Sequence, residues 1–468
     1  MSRVNEIEHK LSLSKKHAIG PKSERMPTPE QEAKAREGEP PVRGGHTNPE
    51  LRKKNAKARE ELPTCIVPHA IPESERQCST CGEPVKPFGG GDRSIEYEWV
   101  PGRIERRVHV VETGRCPCKA HYARGPAPVR VQEGCVLGPR FLAKIAVEKF
   151  GDAIPIYRME KSLRRQGIPI PRSTLNDGVL LAAEVCAPLW RVMLAQIRAD
   201  EHVQADETSF RTQTRKERGF VWTFLSKVHT AYIFAPNRSG DTPNKLLGGT
   251  SGAITIDGFT GYNTVTKVGG RERSGCFSHA RRYLFDALPY TPEARDGLDI
   301  ILDLFMMERA VAERGIVGTL EHLEVRKALG TPIVDRLRAW LEDMLPRFEP
   351  RTPMAIALRY IKNQWPRLIV FLGDAGVPIH NNASEAALRV IALARKNSLF
   401  FGSVEAGAKL MALYSLIATC ERHGVNPEVY LADVMIRIQS HPAKRVAELL
   451  PDRWKKTFGT GFPPSEKA

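Results

Sequence analysis

Residues 202–210 read HVQADETSF and residues 252–263 read GAITIDGFTGYN. Each alternates apolar and polar side chains, the period-two pattern of a half-buried strand. The first strand is expected to end at Asp206, the second at Asp257 before a glycine-containing turn. FVWTFL (220–225) and AYIFA (231–235) add two more strands, and a helix is expected after Thr242, so this region reads as an α/β core. An aspartate at a strand end serves simply to start a turn. Two of them on neighbouring strands of one sheet converge, and can share a hard cation such as Mg²⁺ or Mn²⁺ while leaving room for phosphate.

Downstream, LDIILDLFMMERAVAE (298–313), VDRLRAWLEDML (334–345) and PMAIALRYIKNQ (353–364) carry apolar residues at helical spacing. They predict an all-helical insertion at about 286–375. A third acid follows in IHNNASEAALRVIALARKN (379–397). There Ala383, Ala386, Ala387, Val390, Ile391 and Ala394 mark one buried helix face, and Glu385 is expected on the opposite one. That position suits a metal ligand aimed at a cleft, a solvated residue, or a capping box with Asn382. From position 257 to position 385 is 128 residues, too many for a plain loop. Two helices are expected from His380 to Cys420, and one more in NPEVYLADVMIRIQS (426–440) before a basic tail.

Upstream, residues 139–198 predict three helices, broken at 151–155 and again at QGIPIPRS (166–173). The last two form a candidate helix-turn-helix with Ser173 as the expected cap. Lys161, Arg164, Arg165 and Arg172 are placed to hold phosphates, and Thr174, Asn176 and Asp177 to face base edges. A structural hairpin with a solvated basic face has the same pattern. Five of the nine cysteines lie between Cys65 and Cys118. Cys78-x2-Cys81 and Cys116-x-Cys118, separated by a strand-like segment, suit one Zn²⁺ in a ribbon-like β module. Cys135, Cys65, His69 and His121 are alternatives for one ligand. Residues 1–64, with PTPEQEAKAREGEPPVRGG at 27–45, are too polar to offset their ordering entropy and read as a flexible basic arm.

The expected organisation is therefore a multidomain α/β chain: an arm (1–64), a zinc-binding β module (65–135), a helix-turn-helix region (136–198), a catalytic core (199–430) and a C-terminal helix with a basic tail (431–468). Lysine and arginine outnumber aspartate and glutamate 70 to 54, a net +16 that suits a phosphate-covered partner. No run of about 18 apolar residues is present, and MSRVNEIEHKLSLSKKH has no apolar signal core, which points away from a membrane and towards the cytoplasm.

QADETSF, IDGFTGYN, CFSHARRYLFDA, NNASEAALRVIALARKNSLFFGS and GVNPEVYLADVMIRI, in that order, resemble the large transposase subunit of the insertion sequence 66 family of DDE transposases. The similarity runs from about Lys16 to Trp454. The resemblance implies a ribonuclease H-like catalytic core with a helical insertion, two-metal strand cleavage and strand transfer on double-stranded DNA, and Asp206, Asp257 and Glu385 as the metal-binding acids. It further implies a nucleoid-associated homo-oligomer on DNA, with accessory proteins from the same element. The family's Cys-x2-His signature falls on Cys276 and His279; with Arg281 and Arg282 these are expected near the substrate strand. Arg389, Arg395 and Lys396 are candidate phosphate clamps or members of a solvated basic face. The chain departs from the family pattern at Ala386, where arginine usually follows the glutamate, near Gly178, where a tryptophan is common, and in its short N-terminal coiled-coil segment. Two alternatives are a nuclease that cuts without joining and a DNA-binding regulator with an inactive core.

Overall fold

The computed structural model describes residues 130–213 and 218–458, together with 57, 104, 106, 113–115 and 122–124. The chain divides into two compact units, 1–110 and 111–468, and the second carries the sheets and the helices that pack on them. The N-terminal arm, Cys65, His69, Cys78, Cys81, Cys116, Cys118 and His121 lie outside the described residues. Strands β1 (Thr113–Arg115) and β2 (Tyr122–Arg124) pair antiparallel. Cys135, weighed as a zinc ligand, directs its thiol at the Leu137 carbonyl, 3.4 Å away.

A mixed sheet forms the centre. Its strands are β3 (His202–Thr212), β4 (Arg218–Leu225), β5 (Thr230–Ala235), β6 (Ala253–Thr255) and β7 (Glu272–Ser274), in the spatial order β5-β4-β3-β6-β7. β4 runs antiparallel to both β3 and β5, whereas β6 runs parallel to β3 and β7 parallel to β6. The short β8 (Phe400–Phe401) pairs with the far end of β3. Strand β3 does not end at Asp206 as the sequence suggested. Thr208, Phe210 and Thr212 continue the alternation, and the ladder with β4 runs on to Arg211 opposite Arg218. Asp206 is thus mid-strand.

Alternation sorts the sheet into two faces. Val203, Ala205, Trp222, Phe224, Ile254 and Ile256 pack on one side. Phe210, Val221, Tyr232 and Phe234 pack on the other, against α10 (Asn382–Ser398) and α11 (Val404–Arg422). The backbone of edge strand β5 is occupied. Ser415 and Thr419 of α11 accept the N–H groups of Tyr232 and Thr230, and the Trp190 indole donates to the Tyr232 carbonyl. An edge so covered offers no template for a further strand.

Three helices precede the sheet: α1 (Pro139–Phe150), α2 (Ile156–Arg165) and α3 (Arg172–Ala199). Pro171, in an extended conformation, precedes the first residue of α3, so Ser173 lies within the first turn and is not the cap. Helix α3 is long and apolar enough to cross a membrane by length and composition. Leu175, Val179, Ala182, Cys186, Leu189 and Met193, three or four apart, are instead buried in one core with α1, α11, α12 (Pro427–Arg437) and α13 (Pro451–Phe458). That core runs from Val131 to Trp454. A Cβ on Gly178 would come within 2.7 Å of Leu137 and 2.8 Å of Leu142, so a side chain at 178 would crowd the approach of α3 to α1.

Between β7 and α10 the chain is helical, as α5 (Phe277–Ala287), α6 (Ala294–Glu313), α7 (Leu320–Val325), α8 (Thr331–Met344) and α9 (Pro353–Leu368). The short α4 (Asp241–Leu247) links β5 to β6.

Candidate active site

The two aspartates meet through strand register. His202, Val203 and Gln204 pair in parallel with Ala253, Ile254 and Thr255. Two further steps along both chains bring Asp206 level with Asp257, which lies just beyond β6. Parity puts both on the face that carries α10. Each carboxylate also holds local backbone, Asp206 accepting the Glu207 N–H and Asp257 the Phe259 N–H, both at 2.8 Å. Asp257 therefore starts a turn as well. Arg273 braces that turn by donating to the carbonyls of Asp257 and Phe259 at 2.7 and 2.9 Å and to Asn263 at 2.8 Å. Behind the sheet, Glu207 accepts the Tyr262 hydroxyl at 2.8 Å and two bonds from Arg238, whose guanidinium lies 3.9 Å from the centre of the Phe259 ring.

Glu385 arrives on the first turn of α10. The helix start is fastened to β3, because Asn381 is fully buried and its amide donates to the Ala205 carbonyl at 3.0 Å, one residue from Asp206. Ser384 donates to the Asn381 side chain, and the Asn381 N–H points at the Cys276 sulfur, 3.2 Å away. The cap residue is Asn381, so the capping box with Asn382 is out of register. The buried stripe of α10 is also rotated from the expected one. Ser384, Leu388, Ile391 and Ala394 are inside, while Ala383 and Ala386 are exposed. Glu385 flanks the stripe and is half-buried. Its Oε1 lies 3.7 Å from His279 Nδ1 and its Oε2 3.7 Å from Arg282.

Burial, reinforced by the negative charges of Glu207, Asp257 and Glu385, pushes the Asp206 carboxyl up to about 7, against the opposing Glu207 N–H bond. Folded Asp206 therefore holds its proton more tightly than the unfolded chain does. This contribution to stability is fully present below pH about 4 and is lost as pH rises through about 7, a difference on the order of a few kcal/mol. In magnesium-free buffer, Asp206→Asn is expected to melt progressively higher than wild type as pH rises from 5 to 8. Parallel melting curves across that range would contradict it.

Carboxylate oxygens are the donors that a hard divalent cation takes. Three carboxylates from separate elements repel one another around Asp206, which is the situation a cation relieves. Among the described residues, three buried polar atoms of these elements have no hydrogen-bond partner: Gln204 Oε1 on the Asp206 face of β3, Asn382 Oδ1 one turn before Glu385, and His279 Nδ1.

Of the expected DNA contacts, Arg389, Lys396 and Arg282 are exposed and Arg281 is half-buried. Arg395 is not a free clamp. It donates to the Ser209 carbonyl at 2.8 Å and to the Thr208 and Ser209 hydroxyls at 3.2 Å, tying α10 to β3. On α2 and at the start of α3, Lys161, Arg165, Asn176 and Asp177 are exposed and Thr174 is half-buried. Arg164 and Arg172 both reach Glu160, at 3.3 and 3.2 Å, which cross-links the two helices. Sequence reading missed Glu207, Arg273 and Asn381. An acid on each face of β3, readable as Asp-Glu inside an alternating run, was the one signal available.

Fold and site together define a mixed α/β protein in which Asp206 and Asp257 lie level along neighbouring strands and feel, with Glu385, one another's charge. Residues 134–409 match the family described as Transposase IS66 family, and residues 415–451 match the IS66 C-terminal element. The chain belongs to the IS66 family of transposases. It is 29% identical over 418 residues to the uncharacterized protein y4hP of Sinorhizobium fredii (strain NBRC 101917 / NGR234), covering 82% of this chain and 74% of that protein. The uncharacterized protein y4jD of the same strain is 29% identical over 409 residues, with 82% and 79% covered.

Proposed function

We propose that this chain is a DDE transposase with a ribonuclease H-like core, which binds the ends of an insertion sequence, cuts them and joins them to target DNA. The convergence of Asp206, Asp257 and Glu385 from β3, the turn after β6 and the start of α10 carries the reading. A central β3 with antiparallel strands on one side and parallel strands on the other supports the core assignment.

Asp206, Asp257 and Glu385 would hold two divalent cations, Mg²⁺ or Mn²⁺, which supply activation of a water or 3′-hydroxyl and stabilisation of the leaving oxygen. The chain's own residues do the rest. Arg273 fixes the Asp257 turn, Asn381 fixes the approach of Glu385, and Arg282 with His279 stands where the phosphate of a bound strand meets Glu385. Exposed Arg389 and Lys396 extend a basic surface along the same helix. By this reading the protein works on double-stranded DNA of the nucleoid as a homo-oligomer, with accessory proteins of the same element and a Zn²⁺ in the cysteine module.

A strand-transfer assay with labelled element ends tests the proposal. Joined product is expected. Cleavage without joining would leave a nuclease, and end binding without cleavage a regulator.

End binding through α2 and α3 has its own test. Lys161 and Arg165 are exposed and are not the residues tied to Glu160. Removing both as alanines is expected to flatten the slope of log K against log salt by about 2, since each phosphate contact contributes about 0.9. An unchanged slope would assign those cations to a solvated face.

A further inference from the structure

We propose that Cys276, His279 and Glu385 form a second, softer metal site that takes Zn²⁺ and, when filled, withdraws Glu385 from Asp206 and Asp257, a reading that rests on Glu385 being the third acid of the proposed active site. The sulfur, an imidazole nitrogen and a carboxylate oxygen lie within 4.8 Å of one another. Cys276 caps α5 and His279 is the third residue of that helix, so both project from the same first turn. Glu385 is delivered from the other side by the Asn381 anchor.

Three details suit a metal. The His279 Nδ1 is buried and, among the described residues, finds no hydrogen-bond partner, only the Glu385 Oε1 at 3.7 Å. The Cys276 sulfur is fully buried at the start of an 11-residue helix, 3.2 Å from the Asn381 N–H; burial pushes its thiol up against the opposing backbone N–H groups, so the ion itself must displace the proton. Glu385 is already divided, with Oε2 towards Arg282 and Oε1 towards His279.

One sulfur, one nitrogen and one oxygen donor select a borderline cation over Mg²⁺, which takes oxygen ligands, and three protein ligands leave a fourth position open. Metal–ligand bonds of about 2.0–2.3 Å place tetrahedral donors roughly 3.5 Å apart. Closing from 4.8 Å needs a side-chain shift of about 1 Å, which rotation of the half-buried Glu385 carboxylate supplies. Binding converts the thiol to a zinc thiolate and releases its proton to solvent. The two metals then compete for one carboxylate, and zinc is an inhibitor that acts at the acid itself.

The test is zinc stoichiometry of the full chain after equilibrium dialysis against Zn²⁺, for wild type, Cys276→Ser, His279→Ala and Asp206→Asn. Ions held by the N-terminal cysteines are common to all four. Wild type and Asp206→Asn are expected to retain one ion more than the other two, or to hold it at least tenfold more tightly. Co²⁺ in place of Zn²⁺ is expected to give more thiolate charge-transfer absorption in wild type than in Cys276→Ser. Equal stoichiometry and equal Co²⁺ spectra across the set would overturn the site. That result leaves the three-acid reading intact, because that reading is judged by DNA cleavage in Mg²⁺. Wild type that takes up the extra ion on zinc addition but, stripped of zinc, fails to cleave DNA in Mg²⁺ would do the reverse.

Discussion

Asp206→Asn, Asp257→Asn and Glu385→Gln are each expected to lower both end cleavage and strand transfer on the order of 10³-fold or more, while end binding stays within about threefold of wild type. The separation follows from what each carboxylate touches. Asp206 and Asp257 accept one backbone N–H each, at 2.8 Å, and an amide oxygen accepts the same bond, so the strand and turn keep their shape. What the amide lacks is the negative charge that binds a divalent cation. Replacing Asp206 also removes the repulsion among the acids, so the variant is expected to be at least as stable as wild type without metal. Loss of activity would then not be loss of fold. On the proposed reading that the acids serve one metal cluster, a double variant is expected to be scarcely worse than either single one. Readout is a labelled-end assay that scores nicked and joined products separately, beside a gel-shift titration. Joined product near wild-type level from any one variant would remove that residue from the active site.

The sequence announced the acids and misjudged their setting. Apolar alternation in HVQAD and AITID was enough to assign strands, because a half-buried sheet writes its pattern locally. It did not show that β3 runs on past Asp206, since Glu207, Thr208 and Ser209 look polar until Phe210 and Thr212 are seen to be buried again. β7 and β8 were illegible, being three and two residues long and held by their neighbours alone. On α10, five alanines blurred the stripe. Small residues tolerate either face, so the burial of Ser384 and the exposure of Ala383 and Ala386 were decided by the Asn381 anchor. The basic residues divided for a similar reason. Nothing in ALARKN distinguishes Arg395, spent on β3, from the exposed Lys396. The Cys-x2-His pair was visible in sequence, but its proximity to Glu385 depends on a contact across 105 positions.

Arg326→Met is expected to cost about 3–5 kcal/mol in urea unfolding, the largest stability effect of any single change in the helical insertion. Arg326 is 1% exposed and opens a π-helical turn between α7 and α8. Its guanidinium holds Glu308 through both carboxylate oxygens, at 2.7 and 2.8 Å. The remaining nitrogen donates to the carbonyls of Phe371, Asp374 and Val377 at 2.9, 2.8 and 2.9 Å. Methionine fills a similar volume but leaves the carboxylate and three carbonyls without that partner, which is why the expected cost exceeds that of an ordinary core change. Lysine keeps the charge and still falls short, since one ammonium cannot serve a bidentate pair and three carbonyls together. The consequence reaches the acids. Residues 371–377 are the exit of the insertion, clamped again to β3 by a 2.6 Å contact between His202 and Asp374 and to α5 where Phe277 N–H donates to the Ile379 carbonyl. Two residues later comes Asn381, and then Glu385. Loosening the exit is therefore expected to raise the Mg²⁺ concentration needed for half-maximal cleavage several-fold, at temperatures where the variant is still folded. A purely structural role for Arg326 would lower the melting temperature and leave that Mg²⁺ midpoint unchanged.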